Sequence, residues 1–409
     1  MLSLPDYLRP ATSRAPLTTE NFVSNVVPPV ICYFATAFLV LLPRTQPIRV
    51  ALWPITAFLA FRAAGALDMS RGDPKLKFFN IDLQLSMFVI AIRTLQWTIQ
   101  TKPFIRHYQA TQPVDQQSST DAPKRNIVLD TLDLACTLRG CGWDWSRGLY
   151  IARETRPTSS RFAFAIITLI SCLAHAFLCG ALHCAVQAFG PDTLGSVDGG
   201  TIFDDSLPPH LRYFRSSIIS TLGVFGVYSI LRAGDELLTV ICVLILRHHP
   251  HQCPPSFDSP WCATSLGDFW GRRWHQWFRH VFIFLGGRPL YVLFGRAAGV
   301  IGAFLASGMF HHVAVMSLDR PSEMWRMLLP FGMMGVGVVL ERAVAGKNVG
   351  GWTGWVWTMF WMILWGNMII DGWARAGMLG GSSILDSATP VRQPIERLVR
   401  TFGEYLHAR

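Results

Sequence analysis

Charge is what this sequence has least of. Asp, Glu, Lys and Arg make up 15% of its 409 residues, where a soluble globular domain carries roughly a quarter. The apolar residues that replace them are contiguous: Val26 to Leu42, Phe162 to Phe189 and Val349 to Ile370 contain no Asp, Glu, Lys or Arg. About 20 such residues in a helix cross a bilayer core of roughly 30 Å, so the shortage of charge excludes an ordinary soluble enzyme. The same composition excludes intrinsic disorder, a collagenous chain and a secreted disulfide scaffold. No Cys-x-x-Cys pair is present to suggest a zinc or redox centre, and five of the nine cysteines (Cys32, Cys172, Cys179, Cys184, Cys242) fall in apolar runs, where they read as small buried hydrophobes. The first twenty residues lack a basic region followed by an apolar core and a small-residue cleavage site. Insertion through uncleaved internal segments is the expectation.

What is there is an all-α, polytopic transmembrane bundle of about eight spans, expected at 22–42, 48–66, 81–99, 162–187, 214–246, 290–316, 324–341 and 350–370. The chain divides into N-terminal spans (1–99), a polar loop (100–161), a core (162–370) and a C-terminal tail (371–409). The stretch Ser216 to Leu246 is long for one span and interrupted by Arg232, Asp235 and Glu236, so one tilted helix and two short ones are both open. Pro, Gln, Ser and Thr crowd Ala110 to Pro123, which reads as disordered.

The net charge of +10 would point to nucleic acid in a soluble protein. Here the Lys and Arg sit between apolar segments, so a membrane surface or an anionic ligand fits and nucleic acid does not. Loop 100–161 holds nine Lys and Arg, whereas Gln187 to His210 holds none and carries Asp192, Asp198, Asp204 and Asp205. The first is expected in the cytosol and the second in the lumen. The tail from Asp371 then falls in the lumen despite five arginines, a conflict with the positive-inside rule. No fixed-period repeat or inverted duplication of the halves is visible, which disfavours the commoner transporter architectures.

Two constellations stand out. In Leu290 to Ser317, His311 and His312 occupy an otherwise apolar helix, and Gly295, Gly299, Ala303 and Ser307 recur every fourth residue before His311. Ionisable groups at membrane depth are functional candidates by default. The small residues admit a neighbouring backbone or leave a slot for a ligand; the structural alternative is tight packing with His311 bonded to another helix. Ser307, one turn from His311, is expected to bond its own helix rather than act as a nucleophile. The second constellation, Ser265 to His280, reads SLGDFWGRRWHQWFRH. Its aromatic and basic residues suit the headgroup level of a bilayer, or else Arg272, Arg273 and Arg279 attract a phosphate-bearing ligand. His175 and His183 read as inward-facing structural histidines, HHPHQC (His248 to Cys253) as an interfacial segment rather than a metal site, and Arg62 and Arg93 as snorkelling or pairing within the bundle.

SLGDFWGRRWHQWF, FLASGMFHH and the earlier LRGCGWDWS (Leu138 to Ser146) together resemble the membrane-bound O-acyltransferase superfamily, in the wax-synthase-like branch of plants and fungal natural-product pathways. The first is similar to that branch's Phe-Trp-Gly-Arg-Arg-Trp motif, the second to the segment bearing the superfamily's catalytic histidine, and the third to an Arg-Gly-x-Gly-Trp-x-Trp signature of fungal members. The resemblance implies that His311, following Ser307-Gly308, is the catalytic histidine. It places His275 where many members have asparagine, and makes Trp270, Arg272, Arg273 and Trp274 shape the donor site, with Arg279 and Ser307 beside it. It implies an acyl-CoA co-substrate, no metal, a hydrophobic alcohol as acceptor and an endoplasmic reticulum membrane. The expected reaction is acetyl transfer to a terpenoid or meroterpenoid hydroxyl. Long-chain wax-ester synthesis is the nearest alternative, and a transporter or scaffold the alternative from another class.

Overall fold

The computed structural model describes residues 14–106, 126–146, 148–346 and 349–408; the expected disordered stretch at 110–123 lies outside them. Helices dominate, with one two-residue parallel pair, β1 (Ala15–Pro16) on β2 (Leu67–Asp68). α1 (Thr19–Asn25) begins at Thr18, whose hydroxyl accepts the Asn21 amide. It runs into α2 (Val27–Val40), whose first turn takes two prolines where their missing N–H groups cost nothing. α3 (Gln46–Ala66), α4 (Phe78–Ile99) and α5 (Ile127–Cys136) complete an N-terminal layer. Its core joins Tyr33, Ala37, Ala60, Ala63, Trp97, Leu134 and Trp143. Arg93, 4% exposed, donates to the carbonyls of Leu134 (2.8 Å) and Ala135 (3.2 Å). It therefore pairs inside the layer, satisfying the open C-terminal carbonyls of α5, whereas Arg62 is exposed.

α6 (Arg161–Ala188) packs along α7 (Pro209–Leu244), and α12 (Gly351–Arg375) closes on α7 through Ile219, Ile370 and Ala374. α7 is one continuous helix of 36 residues, about 54 Å long, which resolves the alternative left open for 214–246. α8 (Leu266–Asp268), α9 (Arg279–Phe282), α10 (Arg288–Met316) and α11 (Trp325–Ala345) build the region around the two sequence constellations, and α13 (Thr389–His407) lies against α6. Buried hydroxyls need partners where no water reaches. Thr36, Thr56, Thr168, Ser229 and Thr358 each donate to the carbonyl four residues earlier.

Among the described residues, six helical stretches are long and apolar enough to cross a membrane: 19–40, 46–66, 78–99, 161–188, 279–316 and 325–345. α7 and α12, both among the eight expected spans, fall short of that apolarity. α7 carries Arg212, Arg215, Arg232, Asp235 and Glu236, and the charge-free run of α12 is diluted by five tryptophans, three glycines and Asn367. Two of the tail's five arginines are held in ion pairs. Arg375 pairs with Asp371 at 2.7 Å, and Arg392 pairs with Glu396 at 2.6 Å and with Asp386. The tail and the acidic loop meet at one end of the bundle, where Arg320 reaches Asp198 at 2.5 Å, His407 reaches Asp204 at 3.4 Å and Gly200 N–H bonds the Ala374 carbonyl.

Candidate active site

The expected single helix over 290–316 is broken. Gly295 has φ 82° and ψ −170°, a conformation open to glycine but not to other residues, and the chain reverses there into an antiparallel helical hairpin. Gly286 lies against the Gly302 carbonyl, Gly287 against that of Gly299, and Gly299 against Tyr291. Phe278 and Phe282 meet Phe310 at 4.7 and 5.5 Å. Of the two uses open to the small-residue stripe, its upper part serves close backbone approach, a contact that any side chain at Gly286 or Gly302 would prevent. Lower down, Gly308 sits against the Met327 carbonyl and Gly335 against Ile301, so α11 also comes close. Pro330 inside α11 is buried beside this contact.

His311 projects between Phe331, stacked on it at 4.3 Å, and Trp373 at 6.3 Å. Its Nδ1 lies 2.7 Å from the Ser307 carbonyl. A carbonyl only accepts, so Nδ1 carries the proton and Nε2 of the neutral ring keeps its lone pair. The bond to Ser307 thus runs through the backbone of that residue, and the Ser307 side chain is buried. His312 faces another way, 6% exposed, with Nδ1 unpartnered. Both His311 and His275 keep part of their surface accessible.

His275 sits on the turn after a π-helical segment (Phe269–Arg273). Four aromatic rings surround it: Trp277 stacked at 4.6 Å, Trp274 and Phe257 at 5.6 Å, and Phe278 at 6.3 Å. Its Nδ1 is buried without a partner, which leaves a polar atom available to a ligand. Burial above all, then the charges of His311 and Arg139, pushes its pKa from 6.5 to about 3. The folded ring is therefore neutral at physiological pH. Between pH 6.5 and about 3 the unfolded chain binds a proton that folded His275 refuses, so stability present above pH 6.5 is lost as pH falls through this window. Thermal unfolding in detergent should show a larger drop from pH 7.5 to 5.0 in wild type than in His275→Asn. Equal drops would remove His275 as the responsible group.

The remaining motif residues divide by what they touch. Trp270 packs on Phe304 at 5.6 Å with its indole N–H buried and unpartnered, and Trp274 stacks on Phe269 at 5.6 Å. Arg273 is committed to Asp268 at 2.5 Å and to the Asp258 carbonyl at 3.0 Å. Arg272 is exposed, its guanidinium over the Tyr150 ring at 5.8 Å, the arrangement most open to a phosphate. Arg279 opens α9 next to His280.

The signature 138–146 folds around this site. Gly140 has φ 71°, and a Cβ there would strike Trp145; Trp145 meets His280 edge-on at 4.6 Å. Arg139 donates to the carbonyls of Pro255 at 2.9 Å and Pro254 at 2.5 Å, holding the loop that carries Phe257 to His275. The side chains that enclose the histidines, Phe331, Trp373 and Phe257, are absent from the sequence reading. Nothing local marks them, since each is an apolar residue whose role depends on what faces it. Elsewhere, His183 bonds the Leu379 carbonyl at 2.7 Å and His175 packs on Tyr228 at 5.6 Å. His249 and His251 stack at 5.1 Å. Among the described residues no group of three His, Cys, Asp or Glu is placed to hold a metal ion.

These features define a helical multi-pass membrane protein in which His311 lies between α11 and α12 and His275 lies in the aromatic cluster of Phe257, Trp274, Trp277 and Phe278. Residues 253–333, which contain both histidines, match the model of the membrane bound O-acyl transferase family. A probable long-chain-alcohol O-fatty-acyltransferase 8 of Arabidopsis thaliana is 29% identical over 154 residues, 36% of this chain and 43% of that protein. The O-mevalon transferase yanI of Aspergillus niger is 26% identical over 248 residues, 58% and 53% of the two chains. The acetyltransferase sirH of Emericella nidulans is 24% identical over 366 residues, 81% and 80%. The chain spans about half the length of the first two relatives it matches. Over residues 253–333 the chain is therefore similar to the membrane bound O-acyl transferase family.

Proposed function

We propose that this protein transfers an acyl group from acyl-CoA to the hydroxyl of a hydrophobic alcohol. The observation that carries the proposal is His311: an enclosed imidazole whose Nδ1–H is held by the Ser307 carbonyl at 2.7 Å, leaving Nε2 as the base. In the first step Nε2 takes the alcohol proton while the alcohol oxygen attacks the thioester carbonyl. The tetrahedral intermediate then expels the CoA sulfur, which takes the proton back from the imidazolium and leaves as free thiol. His275 Nδ1, buried without a partner, can donate to the developing oxyanion once its tautomer places the proton there. Arg272, exposed and three residues before His275 in the chain, is the side chain proposed to meet the CoA phosphates.

The donor is proposed to be acetyl-CoA and the acceptor a terpenoid or meroterpenoid alcohol, with the protein in the endoplasmic reticulum membrane. Similarity over most of both chains to sirH, named an acetyltransferase, supports the short donor. Similarity to several plant long-chain-alcohol O-fatty-acyltransferases supports the alternative, a fatty acyl donor with a fatty alcohol. Microsomes bearing the protein, supplied in parallel with acetyl-CoA and palmitoyl-CoA, should release free thiol from acetyl-CoA only when a terpenoid alcohol is present. Preference for palmitoyl-CoA with a fatty alcohol would move the assignment to wax-ester synthesis. Release from neither donor would sink acyl transfer altogether.

A further inference from the structure

Two elements far apart in the chain meet behind His275. Asp235 is on α7, in the helix stretch that already holds the Arg232–Glu236 pair at 3.0 Å. Ser256 is on the loop that Arg139 grips through the carbonyls of Pro254 and Pro255. The Ser256 hydroxyl lies 2.7 Å from Asp235 Oδ1, and Trp277 Nε1 lies 3.0 Å from Ser256 Oγ. The direction of both bonds is fixed by chemistry. An indole N–H only donates, so Ser256 Oγ accepts from Trp277, and the single hydroxyl proton of Ser256 goes to the Asp235 oxygen. Trp277 then presents its face to the His275 ring at 4.6 Å with 28° between the planes. Of the four rings around His275, Trp277 is tied by its indole N–H to this buried polar chain; Ser256 is 6% exposed.

We propose that Asp235 and Ser256 are positioning residues that set the plane of His275 through Trp277. Neither touches the site where His311 would meet substrate. An imidazole stacked at one angle points its nitrogens in one direction, and an oxyanion donor works only if it is aimed before the charge develops. Without the anchor, Trp277 can rotate, and His275 with it. The Arg139 contacts give the 138–146 signature its part in this: it holds the Ser256 loop at the level of α7. The proposal rests on the acyl-transfer reading above.

The test is a set of variants in the full-length protein, each assayed for thiol release over a range of donor concentrations. Ser256→Ala, Asp235→Ala and Trp277→Phe should each lower kcat about tenfold while the KM for the donor stays within about twofold, since orientation and not donor binding is lost. Asp235→Asn should recover most of that rate, because its amide oxygen still accepts the Ser256 proton. In a His275→Asn background, Ser256→Ala should cost less than about twofold more, as expected for residues acting through one another. Independent, multiplying losses in that background, or Asp235→Asn as damaging as Asp235→Ala, would overturn the relay. Should Ser256→Ala fail to accumulate, Trp277→Phe keeps an aromatic ring beside His275 but loses the N–H with the pyrrole half of the indole, so a full rate in that variant also overturns it. A silent wild type would overturn acyl transfer itself, and this inference with it.

Discussion

His311→Ala should leave the protein folded and its thioester-dependent thiol release lower by about 10²–10⁴-fold, the usual contribution of a positioned general base. The size follows from the absence of a substitute. His312 is adjacent in sequence but turned away by one residue of helix, its ring buried with Nδ1 unpartnered, and the groups against His311 are the apolar faces of Phe331 and Trp373. His312→Ala is the control, and should cost less than about tenfold. Equal losses in the two variants would point to helix packing, and a full rate in His311→Ala would sink the mechanism. Detergent-solubilised elution profiles separate lost chemistry from lost fold. The single bond to the Ser307 carbonyl at 2.7 Å is internal to one helix, so removing the ring leaves a lone buried carbonyl already bonded within α10.

Gly286→Val should have the largest effect on stability. A Cβ at this position falls on the carbonyl of Gly302 in the opposite arm of the hairpin. The obstacle is backbone and cannot swing aside, so the arms must part. Overpacking costs about 1–3 kcal/mol where side chains can shift, and here the cost should reach or exceed the top of that range. Since the arms carry Phe278 and Phe310 on either side of the site, loss of activity should follow loss of the folded peak in thermal unfolding. Gly234→Ala is the counterpart. Nothing lies within 4 Å of a Cβ there, in the middle of α7, and alanine should be neutral or stabilising by up to about 1 kcal/mol. A Gly286→Val protein as stable as wild type would mean that the two arms are not in contact.

The helices were legible because their signals are local. Runs of apolar residues and the charge-poor stretches place α2, α3, α4, α6, α11 and α12 near their observed bounds. His311 stood out as a polar ring in an apolar stretch, whereas His275, set among arginines and tryptophans, was singled out only by the motif resemblance. The reversal at Gly295 did not stand out. The glycine series before His311 is compatible with a straight helix packed on a neighbour or with a hairpin packed on itself, and only the contact of Gly286 with Gly302 decides between them. Arg273 shows the same limit from the side of charge. Its sequence neighbours suggest an anion site, but Asp268, five residues away, takes its guanidinium at 2.5 Å.

The sequence by itself determined that this protein is a helical, multi-pass membrane protein with histidines inside it. Hydrophobic length and the cost of buried ionisable groups are properties of each segment and need no partner. The tertiary structure decided which histidine nitrogen is free, which arginine is spent, and that an aspartate on α7 reaches His275 through a serine and a tryptophan. Each of those outcomes depends on the distance and direction between groups tens of residues apart, and spacing along the chain carries no record of either.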